Sequence, residues 1–114
     1  MPISADVLRG HTDAIILSQL VKKDSYGYEI NKTIACVSGE QYELKEATLY
    51  TAFKRLEDAG LISSYWGDQS TGARRKYYSI TSLGVWTHQR QVAEWEEARE
   101  IIDRLLERGA GNRA

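Results

Sequence analysis

Three helical patterns come first along this 114-residue chain. A switch to strand-like spacing follows, and then one long striped helix. That order predicts a mainly α (α+β) fold: a winged helix-turn-helix with a two-stranded β-wing and a long C-terminal dimerisation helix. The length suits one domain with a single modest core. Pro2 is the sole proline, and no low-complexity linker or internal repeat divides the sequence. Residues 1–80 are expected to form the winged-helix domain. Residues 81–108 are expected to form the last helix of the same unit, and 109–114 a flexible tail.

Ser4 to Lys23 reads as helical, with Ile16 and Leu20 on one face, Ile15 and Leu17 beside them, and Gly10 as a candidate interruption. Asp24-Ser25 is a loop and cap signal. Tyr28 to Val37 carries Ile30, Ile34 and Val37 at i, i+4 and i+7, and Ser38-Gly39 ends it. The third helix, Lys45 to Ala59, has the clearest period. Leu49, Phe53 and Leu56 share one sector, while Ala47, Thr51, Lys54 and Asp58 lie opposite, flanked by Thr48 and Arg55. Gly60 stands where a left-handed C-terminal cap belongs.

The period then breaks. Leu61–Trp66 and Arg74–Ile80 read as the strands of a hairpin, joined by the polar loop Gly67–Ala73. Thr81 is a good N-cap for a last helix running to Arg108. Its stripe is Val85, Val92, Trp95, Ala98, Ile102 and Leu105, with Trp86, Ile101 and Leu106 beside it. Such a helix, about 40 Å long, exceeds what a small three-helix core covers, so its far end needs a partner. An isologous helix pair is the simplest solution.

Composition removes several classes of function. With 42% hydrophobic and 27% charged residues the chain reads as globular, and no apolar run approaches a membrane span. The N-terminus lacks the order of a signal peptide. One cysteine excludes a disulfide framework and a multi-cysteine zinc site, which points to a cytoplasmic location. Cys36 is expected to be a small core residue. His11 and His88 are the two histidines and form no ligand cluster, so neither a metal nor a cofactor is expected. No nucleophile–base–acid set or phosphate-cradling glycine loop points to an enzyme.

The net charge is −1, but it is unevenly spread. Lys54 to Lys76 holds five basic and three acidic residues, whereas Glu94 to Glu107 holds six acidic and two basic. The first stretch suits an anion. In a winged helix the third helix enters a major groove and the ribbon lies along a neighbouring backbone. Thr48, Tyr50, Thr51, Lys54 and Arg55 offer hydroxyls and cations for that helix, and Arg74, Arg75 and Lys76 suit phosphates. Two reading helices related by a two-fold axis predict a palindromic double-stranded DNA operator.

Several segments carry a family resemblance. They are Tyr26-Gly27-Tyr28-Glu29-Ile30, Ala47-Thr48-Leu49-Tyr50, Lys54-Arg55-Leu56-Glu57, Gly60-Leu61-Ile62, Ser64-Tyr65-Trp66 and Arg74 to Thr81. In register from residue 8 to 84, the chain resembles the PadR family of transcriptional regulators. Leu49-Tyr50-Thr51, Ile62 to Asp68 and Trp95 are similar to its small, multidrug-responsive repressors. The resemblance implies a homodimer that represses a nearby operon and is relieved by a small hydrophobic or aromatic effector. It implies DNA roles for Tyr26 and Tyr28, for the third-helix residues above, and for the wing tip (Thr71, Gly72) and basic strand (Arg74, Arg75, Lys76).

Three tryptophans are read separately. Trp66 is expected to pack within the wing and Trp86 in the core. Trp95 lies on the stripe facing the expected two-fold axis, where two indoles can clamp a flat ligand or simply fill the interface. Val7, Leu8, Ala14, His88, Gln91, Val92 and Arg99 are the other expected ligand residues. In the similar repressors an acidic residue tends to follow the tryptophan by one turn. Arg99 stands there instead and favours a neutral or anionic aromatic over a cation. Val92, Trp95, Ala98, Ile102 and Leu105 are the expected dimer interface. Two other readings stay open: a winged-helix module that docks protein, and a DNA-binding regulator without a ligand.

Overall fold

The computed structural model describes residues 5–67 and 74–107. The chain runs through α1 (Ala5–Leu8), α2 (Thr12–Lys22), β1 (Ser25–Tyr26), α3 (Gly27–Val37) and α4 (Glu46–Asp58). It continues through β2 (Ile62–Trp66), β3 (Lys76–Ile80) and α5 (Ser82–Leu105). This is the helical, winged order expected of the sequence. Gly10 adopts φ +91°, which a residue with a Cβ rarely takes, so the first helical stretch is split into α1 and α2.

Each inner helix contributes its apolar face to one core. Ile16, Leu17 and Leu20 come from α2, Ile30 and Ile34 from α3, and Leu49, Ala52, Phe53 and Leu56 from α4. Leu44, Ile62 and Tyr78 close it. The start of α4 has no side-chain cap. Its approach is instead held by Asn31, which donates from Nδ2 to the Leu44 carbonyl at 2.6 Å and accepts the Leu44 amide at 2.8 Å. The end of α4 is a Schellman turn: Leu61 N–H returns to Leu56 O at 3.0 Å and Gly60 N–H to Glu57 O at 3.0 Å, with Gly60 at φ +77°.

The next helix starts against that turn. Thr81 Oγ1 accepts the Gly84 amide at 3.0 Å and donates to Gly60 O at 2.8 Å. A Cβ on Gly84 would lie 2.2 Å from the Leu61 carbonyl oxygen, so only glycine permits this approach. α5 has 24 residues and is thus about 36 Å long.

The sheet order is β1-β3-β2, all antiparallel. The wing is the expected two-stranded hairpin, joined on its other side by β1, where the sequence suggested only a loop. Two residues are too few to display a period. The register pairs Tyr26 with Tyr77 and Tyr65 with Tyr77. The three rings therefore form one cross-strand row: Tyr26 and Tyr77 meet edge to face at 5.3 Å, and Tyr65 and Tyr77 stack at 5.7 Å.

Three expectations of burial are corrected, those for Cys36, Val37 and Trp86, while Trp66 packs against a wing residue as expected. Cys36 is exposed, because α3 turns Ile30 and Ile34 inward and leaves this position outside. Val37 is 71% exposed at the last turn of the same helix. Trp86 is 54% exposed and carries the Arg90 guanidinium 5.1 Å above its ring. Trp66 is 55% exposed under the Arg74 guanidinium, also at 5.1 Å. For both tryptophans a cation shields the indole in place of the core.

Candidate nucleic-acid interface

The buried stripe of α4 fixes which of its residues face outward. Ala47, Thr48, Tyr50, Thr51, Lys54 and Arg55 are all exposed. Thr48, Thr51 and Arg55 share a shallow cleft with Ala47 and with Thr12 from α2. Thr12 was not among the residues singled out from sequence. Nothing local marks it, since the cleft exists only once α2 and α4 are packed.

The cations of this face are held differently. Lys54 Nζ lies 3.5 Å from Asp58 Oδ2, one helical turn away, and both side chains are largely solvated. Arg55 reaches across to α2. Its Nε donates to Asp13 Oδ2 at 3.3 Å, and its Nη2 donates to Asp13 Oδ1. The bond to Asp13 raises the already high pKa of the guanidinium. Asp13 is a second residue missed from sequence, 42 positions from its partner.

Tyr50 belongs only partly to this surface. Its ring meets Phe53 edge to face at 5.5 Å. Its hydroxyl oxygen sits where a Cβ on Gly27 would be only 2.6 Å away. Gly27 thus lets α4 pack closely against the start of α3. The neighbouring Tyr26 lies half-buried under the Arg75 guanidinium at 4.8 Å, and Tyr28 is exposed. A continuous chain of contacts therefore runs from α4 through Tyr50, Gly27 and Tyr26 to Arg75 of the wing.

Other wing contacts steady the basic strand. Lys76 Nζ lies 5.8 Å from the Tyr78 ring. Tyr65 donates from its hydroxyl to Asp24 at 2.6 Å, which pushes its phenol pKa up. Burial pushes the Tyr78 phenol up as well. Thr71 and Gly72, at the expected wing tip, lie outside the described residues.

Of the expected ligand residues, Val7 and Leu8 lie on α1, Ala14 on α2, and His88, Gln91, Val92, Trp95 and Arg99 on α5. The His11 and Trp95 rings meet edge to face at 4.9 Å, which joins the start of α2 to α5. Leu8, Ala14, His88 and Gln91 are half-buried, while Val7 and Arg99 are exposed. Gln91 Oε1 is buried without a hydrogen-bond partner among the described residues. Further along, Trp95 is 45% and Leu105 is 75% exposed, and Val92 and Ile102 are uncovered too. Ala98 is half-buried. Such an apolar face on one chain needs covering. Among the described residues, no helix is long and apolar enough to cross a membrane.

Known proteins resemble this chain over most of its length. Residues 16–90 match the profile described as the transcriptional regulator PadR-like family. A transcriptional regulator from Clostridium thermocellum is 48% identical, with TM-score 0.83, over 90% of this chain and 96% of that one. A PadR family transcription regulator from Clostridium difficile R20291 is 41% identical, with TM-score 0.75, over 85% of this chain and 99% of that one. PadR of Bacillus subtilis, solved in complex with operator DNA, is 26% identical with TM-score 0.63, covering 70% of this chain and 46% of its own. These relatives are transcription regulators, not enzymes.

Proposed function

The chain belongs to the PadR-like family of transcriptional regulators, and on that premise we propose that it is a homodimeric repressor that binds a palindromic operator and leaves it when a small effector binds. The observation that carries the DNA reading is the exposed face of α4, Thr48 to Arg55, presented by a helix whose other side is locked into the core. Arg75, tied to the same face through Tyr26, Gly27 and Tyr50, suits a flanking phosphate. The relative solved with operator DNA supports this use of the fold. Tyr26, whose ring lies beneath that guanidinium, steadies Arg75 for this contact.

Dimerisation through Val92, Trp95, Ala98, Ile102 and Leu105 covers the apolar side of α5. A two-fold pair sets the half-sites about 34–36 Å apart. The effector is a planar aromatic that meets Trp95, His11 and Gln91. Arg99 favours a neutral or carboxylate-bearing one. It loosens operator binding only to the extent that it prefers the dimer state with the wrong helix spacing.

Fluorescence anisotropy on labelled duplex from just upstream of this gene, with excess unrelated DNA, tests the reading. Saturable binding that survives the competitor supports it. Binding that the competitor abolishes favours a protein-docking use of the same surface. Tryptophan emission that stays constant across a panel of planar aromatic acids, in the wild-type and in Trp95→Phe, removes the effector and leaves a regulator without a ligand.

A further inference from the structure

The contact between Arg55 and Asp13 constrains how this face can read a base. A guanidinium carries five N–H groups in a rigid fork. Asp13 takes one from Nε and one from Nη2. Of the three that remain, one on Nη1 and one on Nη2 are parallel and define the outer edge. That edge matches the paired acceptors O6 and N7 of guanine. Asp13 is itself firmly placed. It lies in the first turn of α2, where the helix dipole favours a carboxylate, and its side chain is 30% exposed against 53% for Arg55.

The surroundings sharpen the effect. The other residues of the cleft, Thr12, Ala47, Thr48 and Thr51, are uncharged. The Asp13 carboxylate therefore offsets the one charge that lines the cleft, and the paired Arg55 attracts a phosphate less than a free guanidinium would. The neighbouring Lys54 has only a loose, solvated partner in Asp58 and is free to swing toward the backbone. One cation is thus aimed and the next is mobile.

We propose that Asp13 is a positioning residue for sequence recognition: it orients Arg55 edge-on toward a guanine and weakens its pull on phosphates. The proposal rests on the DNA-binding reading above. A plain staple between α2 and α4 would make a different prediction. Loss of a staple weakens all DNA binding together. Loss of an aiming carboxylate weakens specific binding while it strengthens non-specific binding, because a negative charge leaves the surface and Arg55 becomes free to meet a phosphate.

The test uses the full-length dimer, Asp13→Asn and Asp13→Glu, with melting curves recorded in parallel. The probes are the duplex that the wild-type protein recovers from a random-sequence pool, and a scrambled duplex of the same length. Asp13→Asn is expected to bind the recovered duplex about ten-fold more weakly. It binds the scrambled one more tightly, with a salt slope steeper by about 0.9. Asp13→Glu keeps the carboxylate and recovers much of the preference. Selection repeated with Asp13→Asn relaxes one guanine in each half-site. Equal loss on both duplexes, or an unchanged guanine preference, overturns the proposal and leaves a staple. If the wild-type protein recovers no preferred duplex at all, the regulator reading itself fails and this proposal falls with it.

Discussion

Phe53 of α4 lies flat on Tyr78 of β3, with ring centroids 3.9 Å apart and 18° between the planes. Both residues are buried. The helix proposed to read bases and the strand proposed to lie along the backbone are therefore joined by one aromatic stack, and each fixes the other's position.

Removing that stack is expected to cost about 3–5 kcal/mol in Phe53→Ala, through lost burial and the cavity left behind. Phe53→Leu, which refills most of the volume, costs less. Urea denaturation of the two variants measures the difference. An Ala variant as stable as the wild-type would mean that the helix and wing are held together elsewhere.

Gly84→Ala tests how tightly the last helix is seated. The added methyl meets a backbone carbonyl at 2.2 Å rather than a side chain that can move aside. Overpacking of this kind costs about 1–3 kcal/mol. The expected result is a lowered Tm, despite the higher helix propensity of alanine.

The buried Ser25 hydroxyl donates to the Glu29 carboxylate and is the main cause of a glutamate pKa below its ordinary 4.5, with Lys23 and Arg75 assisting against burial. A carboxylate with a depressed folded-state pKa adds stability above its unfolded value, and that stability is lost as pH falls through the folded value. Wild-type protein should therefore lose more stability than Ser25→Ala when pH drops below 4.5. The Glu29 carboxyl shift, followed by NMR, should titrate higher in Ser25→Ala. An unchanged midpoint would assign the shift to Lys23 and Arg75 alone.

The outer half of α5 makes a separate prediction. Ile102→Asp and Leu105→Asp place charges on an uncovered apolar face far from the core of the winged domain. Sedimentation should show monomers with the wild-type helix content. A dimer that survives both substitutions would rule out this face as the interface.

The order of elements was legible in the sequence because long helices and a hairpin carry clear periods. Gly10, Gly60 and Thr81 marked their breaks and caps through backbone chemistry that is local to each residue. Period shows which residues share a face but not whether anything covers that face. Cys36, Val37 and Trp86 were therefore expected inside and stand outside. The face of α4 was readable by elimination from its buried stripe. Asp13 was not, because its meaning comes from Arg55, a partner brought to it only by the packing of two helices. Tyr26 shows the same limit: a two-residue strand and a cation from just ahead of the strand paired with it decide its surroundings.

The salt dependence of operator binding, measured for the wild-type, Lys54→Ala and Arg75→Ala, tests the central claim most directly. The account predicts that the logarithm of affinity falls linearly with the logarithm of salt concentration. Each substitution should weaken binding across sequences and reduce the slope by about 0.9, one phosphate contact each. Affinity that ignores salt, or slopes that both substitutions leave unchanged, would contradict the assignment of α4 and the wing to DNA.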